Sequence, residues 1–170
     1  MIASLDGQYL FTSDKHGILK QWDIKRSTLL KNYKKVHDSQ ITAMAVSYKS
    51  EFLFTADEIG FMQQFSIVDK TLKKFCGKVY KGPVYSMAIS NCDSYVFIGG
   101  KDGYLKQWSI KKQKTVMDYK QVHQNNIMSI AVGPEDGFLV TSDIDGYLKQ
   151  WSIKEKRLIV NWGRVHSEGP

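Results

Sequence analysis

The ten residues at 102–111, DGYLKQWSIK, recur without a single change at 145–154. Looser copies stand at 60–67 (GFMQQFSI) and at 17–24 (GILKQWDI). The step does not vary. Gly17, Gly60, Gly103 and Gly146 are 43 residues apart, and so are Trp22, Phe65, Trp108 and Trp151. A fixed period of this length marks a repeat architecture, in which each unit is one supersecondary element stacked on its neighbours. Positions 43 residues apart therefore share a phase, and a side chain is best read by the phase it occupies.

Within one period the pattern is that of short strands and tight turns. In the fourth repeat, 127–132 (IMSIAV) is an apolar run suited to a strand buried on both faces. The segment GPEDG at 133–137 reads as a turn, and 138–142 (FLVTS) as a second strand. DIDG at 143–146 is a second turn, because Asp-Gly supplies the positive φ a hairpin requires. Residues 147–153 alternate as a third strand with one face inward, and 157–162 (RLIVNW) form a fourth after a charged turn at 154–156. The same reading places strands at 41–46, 52–56, 61–67 and 71–76, and at 84–89, 95–99, 104–110 and 114–119. The first repeat has strands at 9–13, 18–24 and 28–33, with Met1 to Ala3 as the remnant of its first. Four antiparallel strands per unit without helical periodicity predict an all-β assembly of four-stranded sheets.

Period, strand count and the Asp-Gly…Trp spacing together resemble the WD-repeat family of β-propellers over essentially the whole chain. The resemblance implies four consecutive blades at about 1–35, 36–78, 79–121 and 122–165, one propeller segment over 1–170, and the start of a further repeat at 166–170. It also implies a structural tetrad of His, Ser/Thr, Asp and Trp in each blade. Carried over by phase, with the Asp taken from the Asp-Gly turn, the fourth blade offers the full set His123, Thr141, Asp145 and Trp151. The second keeps His37 and Thr55, with Ile59 and Phe65 at the other two places; the third keeps Asp102 and Trp108; the first keeps Thr12 and Trp22. Blades two and three are accordingly expected to lean on hydrophobic packing. The resemblance further implies closure with about seven or eight blades, and four is the lower bound for any propeller. Four therefore imply an open or partial ring, whose missing blades come from a longer chain or from a second copy.

His37, His123 and His166 share one phase, but successive blades hold them too far apart for one metal ion with ligands at about 2 Å. Ser142, His123 and Asp145 are the residue types of a nucleophilic triad, yet the tetrad accounts for His123 and Asp145, and no G-x-S-x-G elbow occurs. No cofactor or small-molecule substrate is expected. The expected function is a non-catalytic protein–protein interaction scaffold. Candidate contacts are the loop residues Lys15, His16, Glu58, Ile59, Lys101, Gln124, Asn125 and Asn126.

The net charge of +7 supports a rival reading. Lys25, Arg26, Lys111, Lys112, Lys114, Lys154, Lys156 and Arg157 share the turn between third and fourth strands and form a basic stripe. Lys20, Lys106 and Lys149 share another phase. Such stripes suit electrostatic attachment to RNA, an anionic membrane or acidic protein tails, although lysine also guards strand edges against pairing. Cys76 and Cys92 fall in different phases and form neither a zinc spacing nor a disulfide framework. No 18-residue apolar run and no secretory-type start is present, so a cytoplasmic setting is expected.

Overall fold

The computed structural model describes residues 1–166 and holds sixteen strands in four antiparallel sheets. Residues 167–170, on which the expected start of a further repeat falls, lie outside the described residues. The chain forms two compact units, Met1–Val84 and Tyr85–Pro170.

The first unit holds two sheets. One is β1 (Ile2–Ala3), β2 (Tyr9–Ser13), β3 (Ile18–Asp23) and β4 (Thr28–Lys35), hydrogen-bonded in chain order. The other is β5 (Ile41–Val46), β6 (Phe52–Asp57), β7 (Phe61–Ser66) and β8 (Thr71–Lys78). Phe11, Leu19, Leu53 and Phe65 form its core with Ile41 and Ile67. The second unit repeats the design with β9 (Val84–Ile89), β10 (Tyr95–Gly100), β11 (Tyr104–Ser109) and β12 (Lys114–Gln121), then β13 (Ile127–Val132), β14 (Phe138–Asp143), β15 (Tyr147–Ser152) and β16 (Leu158–Arg164). Its core is Phe97, Leu105, Ile127, Leu139 and Trp151 with Val122 and Ile130. The apolar residues of the repeat thus interlock sheet against sheet, which no single sheet of this size achieves alone.

Each turn is built on a side chain of fixed phase. After the third strand, Asp23 Oδ1, Ser66 Oγ, Ser109 Oγ and Ser152 Oγ accept the amides of Arg26, Asp69, Lys112 and Glu155 at 2.8, 3.1, 3.2 and 3.0 Å. Serine therefore replaces aspartate here without losing the bond that closes the turn. After the first strand, Ser47 Oγ accepts the amides of Glu51 and Phe52, and Ser90 Oγ those of Ser94 and Tyr95. Blade partners are tied at this end too. Ser50 Oγ accepts the amides of Leu5 and Asp6, and in the second unit the Asp136 carboxylate, of the same phase, accepts those of Asn91 and Cys92.

The outer strands β4, β8, β12 and β16 end at 35, 78, 121 and 164, two residues beyond the sequence expectation in each case. A bulge carries each one on. Lys34, Gly77, Lys120 and Gly163 have φ of 60, 78, 64 and 73°, and the register slips beside each. Asn32, Asp118 and Asn161 hold the kinked amide two residues on at 2.8, 2.8 and 3.0 Å.

Candidate functional site

The loop after each outer strand is clamped to a glycine of the sheet it leaves. Val36 and His37 both donate their amides to Gly17 O (2.9 and 3.4 Å), as Val122 and His123 do to Gly103 O (2.9 and 3.2 Å). Val79 and Tyr80 do the same to Gly60 O, and Val165 and His166 to Gly146 O. Within each unit this clamp aims the histidine that follows the valine, His37 or His123, toward the next blade.

In blade four the result is a buried chain of hydrogen bonds. Trp151 Nε1 donates to Thr141 Oγ1 (3.0 Å), Thr141 Oγ1 lies 2.7 Å from His123 Nε2, and His123 Nδ1 lies 2.9 Å from Asp143 Oδ2. The partners at both ends suit one direction. The indole N–H is donor only, so the threonine oxygen accepts it and keeps its own hydrogen available to Nε2; the carboxylate beside Nδ1 accepts the ring N–H, and burial disfavours a second ring proton. The ring is then neutral. The other Asp143 oxygen, Oδ1, accepts the amides of Asp145 and Tyr147 at 3.1 and 2.9 Å and so shapes the hairpin turn.

The structure therefore joins His123, Thr141 and Trp151, but their carboxylate is Asp143, not Asp145, which is exposed at the turn. The reason is reach. Asp143 is the last residue of β14 and points to the same face as Thr141 two residues before it, whereas Asp145 lies beyond the strand. Ser142 points to the opposite face, so it does not meet His123.

Blade two is corrected with it. His37 Nδ1 meets Asp57 Oδ2 at 2.9 Å and Nε2 meets Thr55 Oγ1 at 2.8 Å, with Asp57 Oδ1 accepting the amides of Ile59 and Phe61. It lacks only the tryptophan, replaced by the buried Phe65, and does not depend on apolar packing alone. In blade three Gly100 occupies the aspartate phase and Ile98 the threonine phase; Asp102 is exposed in a 3-10 turn at φ 74° and is not brought to Trp108. Blade one keeps Trp22 Nε1 on Thr12 Oγ1 at 2.9 Å, and Asp14 Oδ1 accepts the amides of His16 and Ile18. The missed residues, Asp57 and Asp143, carried a readable signal. Asp14, Asp57 and Asp143 share one phase, and each bonded pair, His37 with Asp57 and His123 with Asp143, is 20 residues apart.

Burial pushes the His37 and His123 rings below the ordinary value of 6.5, and this outweighs the pull of the neighbouring carboxylates toward the charged form. A histidine held neutral in the fold contributes stability that is full above pH 6.5 and is lost as the pH falls toward its depressed folded value. Urea midpoints are expected to hold from pH 8 to about 6.5 and to fall by pH 5; a midpoint that rises over that acid interval contradicts the neutral rings.

The candidate loop residues Lys15, His16, Glu58, Ile59, Lys101, Gln124 and Asn125 are exposed, with Asn126 half-buried. They belong to the turn between second and third strands and the loop after the fourth, at the same end of each sheet as the histidine networks. The basic turns are exposed as well, from Lys25 and Arg26 through Lys111, Lys112 and Lys114 to Lys154, Lys156 and Arg157. Two of these cations face local acids, Arg26 on Asp23 at 3.0 Å and Arg157 on Glu155 at 2.6 Å. The second lysine phase is partly internal. Lys149 Nζ donates to Val122 O at 2.5 Å, and Gln63, of the same phase in blade two, donates to Val36 O. Burial lifts the Cys76 thiol to about 11, so it stays protonated at neutral pH.

The family model for the WD domain, G-beta repeat, matches residues 69–109 and 113–152. No curated protein matches the chain. Among solved structures the chain is similar to a chain of the "Crystal Structure of Mitotic Checkpoint Complex", at 15% identity and a TM-score of 0.86 over 98% of this chain and 51% of that one. It is likewise similar to the "Structure of U3-55K", at 18% identity and a TM-score of 0.83 over 93% and 49%. At such identities the likeness is one of fold, and the chain spans about half the length of each of the two. Its four sheets are blades of that type.

Proposed function

We propose that this chain, which carries WD40 repeats, is a non-catalytic scaffold that grips protein partners through the loops beside its histidine networks. WD40-repeat proteins are generally non-catalytic interaction scaffolds. The observation that carries the reading is the division of labour between buried and exposed groups. His37, His123, Asp57 and Asp143 are spent inside the blades, while the loops beside them present Glu58 and Gln124, and the matching turns of the other two blades Lys15 and Lys101, to solvent. Variable side chains on rigidly held loops are what partner recognition uses. The free thiols Cys76 and Cys92 suit a reducing, cytoplasmic setting.

The test is capture from the source cells with two variants of the chain. The loop variant Lys15→Ala, Glu58→Ala, Lys101→Ala, Gln124→Ala is expected to lose a stoichiometric protein partner that the unchanged chain retains. The turn variant Lys25→Ala, Lys112→Ala, Lys154→Ala is expected to keep it. The reverse pattern, with binding that falls steeply as salt rises, would favour electrostatic attachment through the basic turns.

A further inference from the structure

Each unit contains one junction between blades, and the two are made alike. In the first, Tyr33 of blade one stands edge-on to Phe65 of blade two (5.3 Å, 73°), and His37 bonds Thr55 and Asp57. In the second, Tyr119 of blade three stands edge-on to Trp151 of blade four (6.3 Å, 70°), and His123 bonds Thr141 and Asp143. A junction thus has a giving half, an aromatic and a histidine, and a receiving half, an aromatic, a threonine and an aspartate.

The chain carries one further example of each half. On blade four, Trp162 has the phase of Tyr33 and Tyr119 and is 46% exposed, although it is an aromatic of core type. His166 has the phase of His37 and His123, is exposed, and is clamped on Gly146 O by the same pair of amides. Among the described residues nothing bonds its ring. On blade one, Trp22 already donates to Thr12, and Asp14 uses Oδ1 for the turn amides as Asp57 and Asp143 do. Asp14 Oδ2 is the oxygen that the other two aspartates give to a histidine. The halves also match in charge character, an imidazole N–H facing a carboxylate.

We propose that blade four of one chain docks on blade one of a second copy, with His166 bonded to Asp14 and Thr12 and Trp162 edge-on to Trp22. The inference rests on reading the chain as WD40 blades that take protein partners, and it names a second copy as one of them. Sedimentation of the full chain tests it. Association that grows with concentration is expected. His166→Asp, which faces one carboxylate with another, and Trp162→Ala are each expected to weaken it roughly tenfold or more. Both side chains are exposed in the single chain, so folding survives, as circular dichroism would register. Asp14→Asn, whose remaining oxygen still serves the turn amides of His16 and Ile18 while its amide group meets the imidazole N–H donor to donor, is expected to weaken association as well. A chain that stays monomeric up to its solubility limit overturns the proposal, as does a His166→Asp variant that associates like the parent. Either result leaves the loop variant's loss of partner standing, so the two readings fail separately.

Discussion

Asp143→Ala is expected to destabilise the second unit by about 3 kcal/mol, while Asp145→Ala changes it by no more than about 0.5 kcal/mol. Asp143 is buried, and its two oxygens close three bonds, to the amides of Asp145 and Tyr147 and to His123 Nδ1. Removing the carboxylate leaves the buried imidazole N–H without its acceptor, and it leaves the turn amides to find others. Each unmet buried donor costs about 1–3 kcal/mol. Asp145 is exposed, and only its amide takes part. Asp143→Asn should fall between the two, because one oxygen can still serve the turn while the amide group meets His123 Nδ1–H donor to donor. Thermal unfolding followed by circular dichroism separates the cases, with roughly 2–4 °C expected per kcal/mol at this chain length. Equal losses at 143 and 145 would mean that the histidine is not held by the carboxylate it touches.

The contrast between those two aspartates shows what the residues alone made legible. The strands were readable because apolar alternation and turn residues return every 43 positions, so that a weak signal in one blade is reinforced by three others. The histidines and threonines of the network followed from the family resemblance, which the constant period maps onto each blade. The aspartate was misplaced because a turn aspartate and a strand-end aspartate two residues apart look alike in composition; only their facing differs, and facing follows from where β14 stops. Ser66, Ser109 and Ser152 stand at the phase of Asp23, and an Oγ reaches the turn amide as well as an Oδ does. Lys149 read as surface charge, yet its long stem brings the ammonium back to Val122 O. The two extra residues of each outer strand were hidden because a bulge breaks the alternation that marks a strand.

The motif DGYLKQWSIK supplies the second large effect through its glycine. Gly103→Ala is expected to cost about 4 kcal/mol or more and to leave the second unit largely unfolded at 37 °C. Gly103 lies at φ +73°, where a Cβ alone costs about 1–2 kcal/mol. Here that Cβ would also sit 1.9 Å from His123 O and 2.9 Å from Asn125 O. Both are main-chain atoms, so relief requires the loop itself to move, and the loop is clamped by the bonds of Val122 and His123 to Gly103 O. Backing away by the necessary ångström or more would draw His123 off Thr141 and Asp143, so the steric cost and the loss of the network come together. Gly163 provides the control. It shares the positive φ, but a Cβ there meets nothing within 4 Å, and Lys34 and Lys120 already occupy its phase at φ 60 and 64°. Gly163→Ala should therefore cost only about 1 kcal/mol. Gly17, Gly60 and Gly146 present the same close approach, with a Cβ 2.1–2.2 Å from the carbonyl of the residue clamped there. The invariance of this glycine across the four repeats follows from that contact as much as from the turn. If Gly103→Ala and Gly163→Ala lose the same stability, the turn conformation alone explains the glycine, and the clamp does not set the junction.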